Sequence, residues 1–186
     1  MSGGFSYTVR PILPTDSVGS FQCGDPKFQP LKTFLKKDAK EFHDANIART
    51  WVAVETHQVG DDVCEVNPAS VLAYITLTCS EVCIRDAYTV EDPQRANFYT
   101  HLPAVKIARL AVDARHRDKK IGGALVDLAI AIAQDQVGSM VGCRFVTTDA
   151  KQDAIPFYKH RGFVLLDTET NLADEAPVMF LDLQLL

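Results

Sequence analysis

Between Ile107 and Leu125 the chain reads IARLAVDARHRDKKIGGAL, and this stretch gathers the residue types from which a phosphate site is made. An apolar run passes directly into a basic one, and two glycines then open an amphipathic segment. Backbone N–H groups in the first turn of a helix lack partners within the helix, and the helix dipole adds positive potential there. Gly122 and Gly123 let a ligand approach the main chain closely, while Arg115, Arg117, Lys119 and Lys120 supply charge. Together these parts form a cradle for phosphate. The Walker pattern and the dinucleotide fingerprint GxGxxG are both absent, which argues against the two standard nucleotide settings. The competing reading is a basic loop on a solvated helix start.

Two other groups carry potential chemistry. Lys32, Lys36 and Lys40, with Lys27 and Lys37 nearby, recur at helical spacing and would suit RNA phosphates. Equally they describe the solvated face of an amphipathic helix, the reading preferred here. The five cysteines, Cys23, Cys64, Cys79, Cys83 and Cys143, are odd in number and irregular in spacing. Cys79-x-x-x-Cys83 lacks a second pair of metal-ligand spacing, so reduced thiols in a cytoplasmic protein are expected, with no metal.

A length of 186 residues with 47% hydrophobic content suits a single domain over 1–186. The 23% charged content is ordinary and argues against disorder. No signal peptide and no membrane-spanning run is read from the sequence. The net charge of −5 speaks against a general nucleic-acid coat, but it is an average. Residues 55–92 hold eight acidic side chains against one basic, whereas residues 95–163 hold eleven basic against six acidic. The basic half is the one expected to hold an anion. An acidic acceptor cleft would favour a cationic amine over RNA.

These residues must be positioned by elements that hydrophobic periodicity locates. Residues 6–13 read as an edge strand carrying Pro11. Phe28, Leu31, Leu35, Ala39 and Phe42 form one apolar stripe, which predicts a helix over 28–43 with Pro30 in its first turn. Strands are expected at 49–55, 71–79, around 82–84 and at 104–112, with a hairpin loop over 56–69. The clearest helix spans 119–137, with Ile121, Leu125, Leu128 and Ile132 in register and Gly138 as its stop. A strand at 143–148, a short helix at 153–161 closed by Gly162, and strands at 163–166 and 178–185 complete the chain. The strands joined through the 119–137 helix should run parallel and the hairpins antiparallel, giving a mixed α/β sheet.

Arg117-Asp-Lys-Lys-Ile-Gly122 resembles the Gln/Arg-x-x-Gly-x-Gly/Ala motif of the GNAT acyltransferase superfamily, preceded by its usual strand ending Leu-Ala-Val-Asp. Lys120 stands where the first glycine normally does. Ala154-Ile-Pro-Phe-Tyr-Lys-His-Arg-Gly-Phe163 resembles the A-x-x-F-Y-x-x-x-G-F element of the same superfamily, in the right order and at the right interval. Phe21-Gln-Cys-Gly24, Leu31-Lys-Thr-Phe-Leu35 with Ala39, Leu102-Pro103 and Met179-Phe-Leu181 resemble one group within it. That group includes toxins that acetylate the amino group of aminoacyl-tRNA.

The resemblance implies the GNAT fold: a central mixed, mostly antiparallel sheet with a parallel splayed strand pair, flanked by helices. It also implies acetyl-CoA as acyl donor and a primary amine as acceptor. Aminoacyl-tRNA is the alternative acceptor, and a non-catalytic acyl-CoA sensor is a second alternative. The strand at Leu110, Ala111 and Val112 would bind the pantetheine arm, with an amide near Val112 facing the thioester oxygen. Arg117, Asp118, Lys119, Lys120, Ile121, Gly122 and Gly123 would hold the pyrophosphate. Tyr158 would act as general acid toward the leaving thiolate. Glu81, His101 and His116 are the nominees for general base. A homodimer is compatible with the family, and no membrane partner is implied.

Overall fold

The computed structural model describes residues 5–59, 62–65, 70–85 and 87–186. The chain divides into two compact units: the chain up to Leu77 together with Arg109–Leu125, and Thr78–Ala108 together with Val126–Leu186.

In the first unit, β1 (Ser6–Pro11) is followed by α1 (Gln29–Lys37) and α2 (Ala39–Asp44). Strands β2 (Arg49–Val59) and β3 (Asp62–Glu65) come next, and β4 (Val71–Cys83), β5 (His101–Val112) and α3 (Ile121–Ala131) each contribute part of their residues to this unit and part to the second. β1 pairs antiparallel with β2 from Ser6↔Thr56 to Pro11↔Trp51. β2 pairs antiparallel with β4 from Arg49↔Leu77 to Val54↔Val71, with a bulge at Ala53/Val54. The end of β2 carries β3. The core of this unit gathers Phe21, Cys23, Phe34, Leu35, Ala39, Val52, Val54, Tyr74 and Ala111 under α1 and α2. The whole expected stripe points there: Leu35 and Ala39 are buried, and Phe28, Leu31 and Phe42 pack half-buried against the cluster.

In the second unit, β6 (Phe145–Asp149), α4 (Ile155–Lys159), β7 (Val164–Leu165), α5 (Glu169–Leu172) and β8 (Val178–Asp182) follow. β5 and β6 run parallel over Ala104–Ile107 and Phe145–Thr148, as a crossover through a helix requires. β8 lies antiparallel to both β6 and β7. Val82, Ile84, Leu102, Phe145 and Phe180 centre its core. Buried Asp182 ties this unit together by accepting from Tyr88 Oη at 2.8 Å and Arg144 Nη2 at 2.8 Å.

Several boundaries differ from the sequence reading, each for a local reason. The expected 28–43 helix divides at Asp38, whose φ is stretched to −113° between α1 and α2; aspartate is a poor helix-interior residue. The hairpin region is more ordered than a loop, because β2 continues to Val59 and pairs with β3. Gly60, Asp61 and Asn67-Pro68 of that hairpin lie outside the described residues. The strand around Val82 is the tail of β4, and Leu102-Pro103 lies inside β5. The 119–137 helix begins at Ile121, and from Ile132 to Gly138 it widens into π-type turns. Gly138 is not the stop. A Cβ there would come 3.0 Å from the Ala133 carbonyl oxygen, so glycine serves the widened turn. The chain turns at Gly142, φ +93°, whose N–H joins that of Val141 on the Val137 carbonyl. Gly162, φ +82°, closes α4 as expected. The cysteines are free thiols.

Candidate active site

β5 ends at Val112, and the next residue fixes the basic loop. Asp113 is fully buried and caps a 3-10 turn over Ala114–Lys119. Its Oδ1 accepts from the Arg115 amide (3.0 Å) and Arg115 Nε (2.8 Å). Its Oδ2 accepts from Arg115 Nη2 (2.8 Å) and from the Gln22 amide (3.0 Å). Burial pushes this carboxyl upward, but the bonds from Arg115 and Gln22 outweigh it and hold Asp113 below the usual carboxylate range. Sequence reasoning left Asp113 as a mere strand end. An aspartate just ahead of a helical turn is the available signal for a cap.

The Phe21-Gln-Cys-Gly24 segment lies along this loop. The Ala114 amide donates to the Gln22 carbonyl at 2.8 Å, Arg115 Nη2 to Ser20 at 3.2 Å and Arg117 Nη2 to Cys23 at 2.5 Å. Gly24 adopts φ +78°, and a Cβ on it would meet Ala114 Cβ at 3.3 Å. The left-handed backbone favours glycine here, and the space beside Ala114 is tight for a Cβ. The Arg117 guanidinium also rests over the Phe28 ring at 5.8 Å. Two sequence patterns read separately are thus two sides of one contact.

The remaining loop residues differ in engagement. Lys119 Nζ pairs with Asp118 at 2.9 Å and lies 5.4 Å from the Phe5 ring centroid. That hydrogen bond from Lys119 holds the Asp118 carboxyl low. Lys120 takes the left-handed conformation, φ +57° and ψ +17°. This explains why glycine suits the position in the motif, because left-handed backbone is strained for residues with a Cβ. Ile121, Gly122 and Gly123 are buried where α3 begins. Leu110–Val112 continue β5 past the last β6 pair, Ile107↔Thr148, with Ala111 buried and the other two half-buried.

Tyr158 belongs to the second unit. It is 5% exposed, its ring edge-on to Phe157 and Phe163 at 5.1 and 5.4 Å. Burial pushes its phenol up to about 12, against a smaller downward pull from the Thr148 hydroxyl. The group therefore stays protonated at neutral pH. Thr148 Oγ1 also donates to the Ile107 carbonyl at 3.2 Å.

Of the base nominees, His101 and Glu81 face each other, Nε2 to Oε1 3.9 Å, both well exposed. His116 stacks on Phe5 at 5.7 Å. The lysine stripe on α1 and α2 is partly structural: Lys36 Nζ donates to the Gly19 carbonyl (2.6 Å) and Lys40 Nζ to those of Pro14 and Asp16 (2.7 and 2.9 Å). Among the described residues no helix is long and apolar enough to cross a membrane, and no cluster of three or more metal-binding side chains occurs.

With this geometry in place, known proteins give a consistent comparison. The family model for the acetyltransferase (GNAT) domain matches residues 46–165. A tRNA-acetylating toxin of Mycobacterium tuberculosis (strain ATCC 25618 / H37Rv) is 27% identical over 167 residues, 89% of each chain. A tyrosine-to-phenylalanine mutant of KacT superposes with a TM-score of 0.79 at 23% identity, covering 96% of this chain and 95% of that one. AtaT complexed with acetyl-methionyl-tRNAfMet gives 0.77 at 23% identity over 96% of each chain. AtaTR bound with AcCoA gives 0.73 at 24% identity, covering 99% and 96%. The sheet with its parallel β5–β6 pair and flanking helices is the fold of these structures.

Proposed function

Because this chain belongs to the GNAT acetyltransferase family, we propose that it moves the acetyl group of acetyl-CoA onto the amino group of an aminoacyl-tRNA. The observation that carries the acceptor is the tRNA-acetylating relative, whose similarity runs over 89% of both chains rather than over the donor motif alone. The complex of AtaT with acetyl-methionyl-tRNAfMet supports the same reading. An aminoacyl-tRNA presents a primary amine, so this narrows the general amine expectation rather than replacing it.

The chemistry joins the acceptor nitrogen to the acetyl carbon and breaks that carbon's bond to sulfur. Leu110–Val112 offer main-chain groups along the pantetheine arm, and an N–H at Val112 would stabilise negative charge on the thioester oxygen. Arg117–Gly123 would hold the pyrophosphate; a capped basic turn followed by buried glycines at a helix start suits an anion. Tyr158 would donate to the departing sulfur. A phenol near 12 is fully protonated at neutral pH but a weaker acid than a thiol. Its contribution is therefore a hydrogen bond that strengthens as charge develops on sulfur. The attacking amine would release its proton to water or to the exposed Glu81–His101 pair.

A free cationic amine is the second reading, favoured by the acidic excess over residues 55–92. Incubating the protein with radiolabelled acetyl-CoA, a panel of charged tRNAs and a panel of small amines decides between them. Label in aminoacyl-tRNA, released with the amino acid on mild alkaline treatment, is the expected result. Label in small amines alone overturns the tRNA reading and leaves the enzyme class intact.

A further inference from the structure

We propose that Thr148 is a positioning residue for Tyr158: its hydroxyl donates to the phenol oxygen as that oxygen gives up its hydrogen to the departing sulfur. The proposal rests on the acetyl-transfer reading above and on Tyr158 as the proton donor within it.

Thr148 lies on β6 opposite Ile107, in the last pair that the two parallel strands make. It is 3% exposed, and Tyr158 is buried beside it, so bulk water has little access to either hydroxyl. Branching at Cβ restricts the threonine rotamer, which fixes the oxygen and leaves its single hydrogen free to turn. That hydrogen is directed at the Ile107 carbonyl, with Oγ1 3.2 Å from the carbonyl oxygen. A well-made O–H···O bond spans about 2.7–2.8 Å, so this one is weak and readily exchanged. The other partner within reach is the Tyr158 phenol, which the Thr148 hydroxyl meets in the sense that favours negative charge on the phenol oxygen. Phe157 and Phe163 pack edge-on against the Tyr158 ring and keep the two oxygens together. Burial makes that phenol a reluctant acid, because a phenolate among aromatic rings lacks water. A hydrogen bond donated to a charged oxygen is roughly twice as strong as one to a neutral carbonyl. The Thr148 hydrogen therefore turns from Ile107 to Tyr158 as charge develops there. The step balances. The phenol O–H bond breaks and leaves its electron pair on oxygen, and an S–H bond forms on the departing CoA. The Thr148 O–H bond stays intact and only rotates, and solvent returns a proton to the phenol after product release.

The test is steady-state acetyl transfer by the full chain, followed as thiol release with charged tRNAs and small amines as acceptors. Thr148→Val and Thr148→Ala remove the hydroxyl, and Thr148→Ser keeps it. The first two are expected to lower kcat about tenfold while KM for acetyl-CoA stays within about twofold. Thr148→Ser should stay within about threefold of the parent protein in kcat. In a Tyr158→Phe background, Thr148→Val should change kcat by less than about twofold, because a hydroxyl that acts through the phenol has nothing left to act on. Thermal midpoints identify the folded variants, and Thr148→Ala carries the test where Thr148→Val does not fold. Unfolding of both hydroxyl-free variants beside a folded, active Thr148→Ser makes the role structural and overturns the proposal. Unchanged kcat in a folded hydroxyl-free variant, or an equal loss in the Tyr158→Phe background, overturns it while leaving a slow Tyr158→Phe as support for the acid. Parental kcat in Tyr158→Phe overturns the acid assignment and the proposal together. A parent protein that transfers acetyl to no acceptor overturns the acetyl-transfer reading as well.

Discussion

Tyr158 is held by packing on two sides, Phe157 and Phe163, and by the Thr148 hydroxyl. Removing its oxygen leaves those ring contacts in place. Tyr158→Phe is therefore expected to lower kcat by about a hundredfold while acetyl-CoA affinity stays within about twofold. Steady-state thiol release with a titrated donor measures both, and unchanged kcat would end the general-acid assignment. His43 is a second residue with a readable titration. Its Nδ1 accepts the Thr50 amide at 3.1 Å, so the bond needs the neutral ring. Burial lowers its pKa first and Arg49 lowers it further, against the opposing charge of Asp44. A histidine depressed in the folded state contributes stability above its unfolded pKa of about 6.5, and that contribution is lost as pH falls through the folded value. The thermal midpoint should drop on acidification from pH of about 7.5 to about 5. His43→Ala should lower it at the upper pH and flatten the slope between.

At the scale of elements, the donor loop is stabilised from the side. Asp113→Asn keeps the shape but gives up the charged bonds to Arg115 and one acceptor oxygen. It should cost roughly 2–4 kcal/mol in urea unfolding, because a buried group loses its partners. Acetyl-CoA binding should weaken alongside. Much of this organisation was legible in the sequence. The linear motifs Arg117–Gly122 and Ala154–Phe163 were, and so were α1, α3 and the parallel crossover, because periodicity and glycine placement are local signals. The break at Asp38 and the π-type widening before Gly138 were not, since both depend on how the helices pack. The bond from the Gln22 amide to Asp113 was not readable either. Its two ends are 91 residues apart, and nothing local at either end names the other.

For the molecule as a whole, the net charge of −5 conceals the features that matter. The acidic excess of residues 55–92 includes Asp61 and Asp86, which lie outside the described residues. The lysines that first suggested an RNA-binding face divide into two classes. Lys36 and Lys40 bind carbonyls of residues 14–19 and brace that turn. Lys37 remains exposed at the end of α1. If tRNA is the acceptor, electrostatic attraction must come from a few unengaged cations rather than from the bulk charge. Binding should then fall only shallowly with added salt compared with a basic RNA-binding protein. Filter binding of aminoacyl-tRNA across a salt series checks this, and a steep slope would point to a broad phosphate-binding face.

The contact between Phe21–Gly24 and the turn after β5 also bears on when the protein becomes competent during synthesis. Its bonds join residues 91 and 94 positions apart. Closing so long a stretch of chain carries an entropic cost that a nascent fragment cannot offset before the intervening strands pair. A ribosome must release residues beyond Arg117 before the donor loop can assemble. A chain interrupted earlier carries the N-terminal half of the grip with nothing to hold.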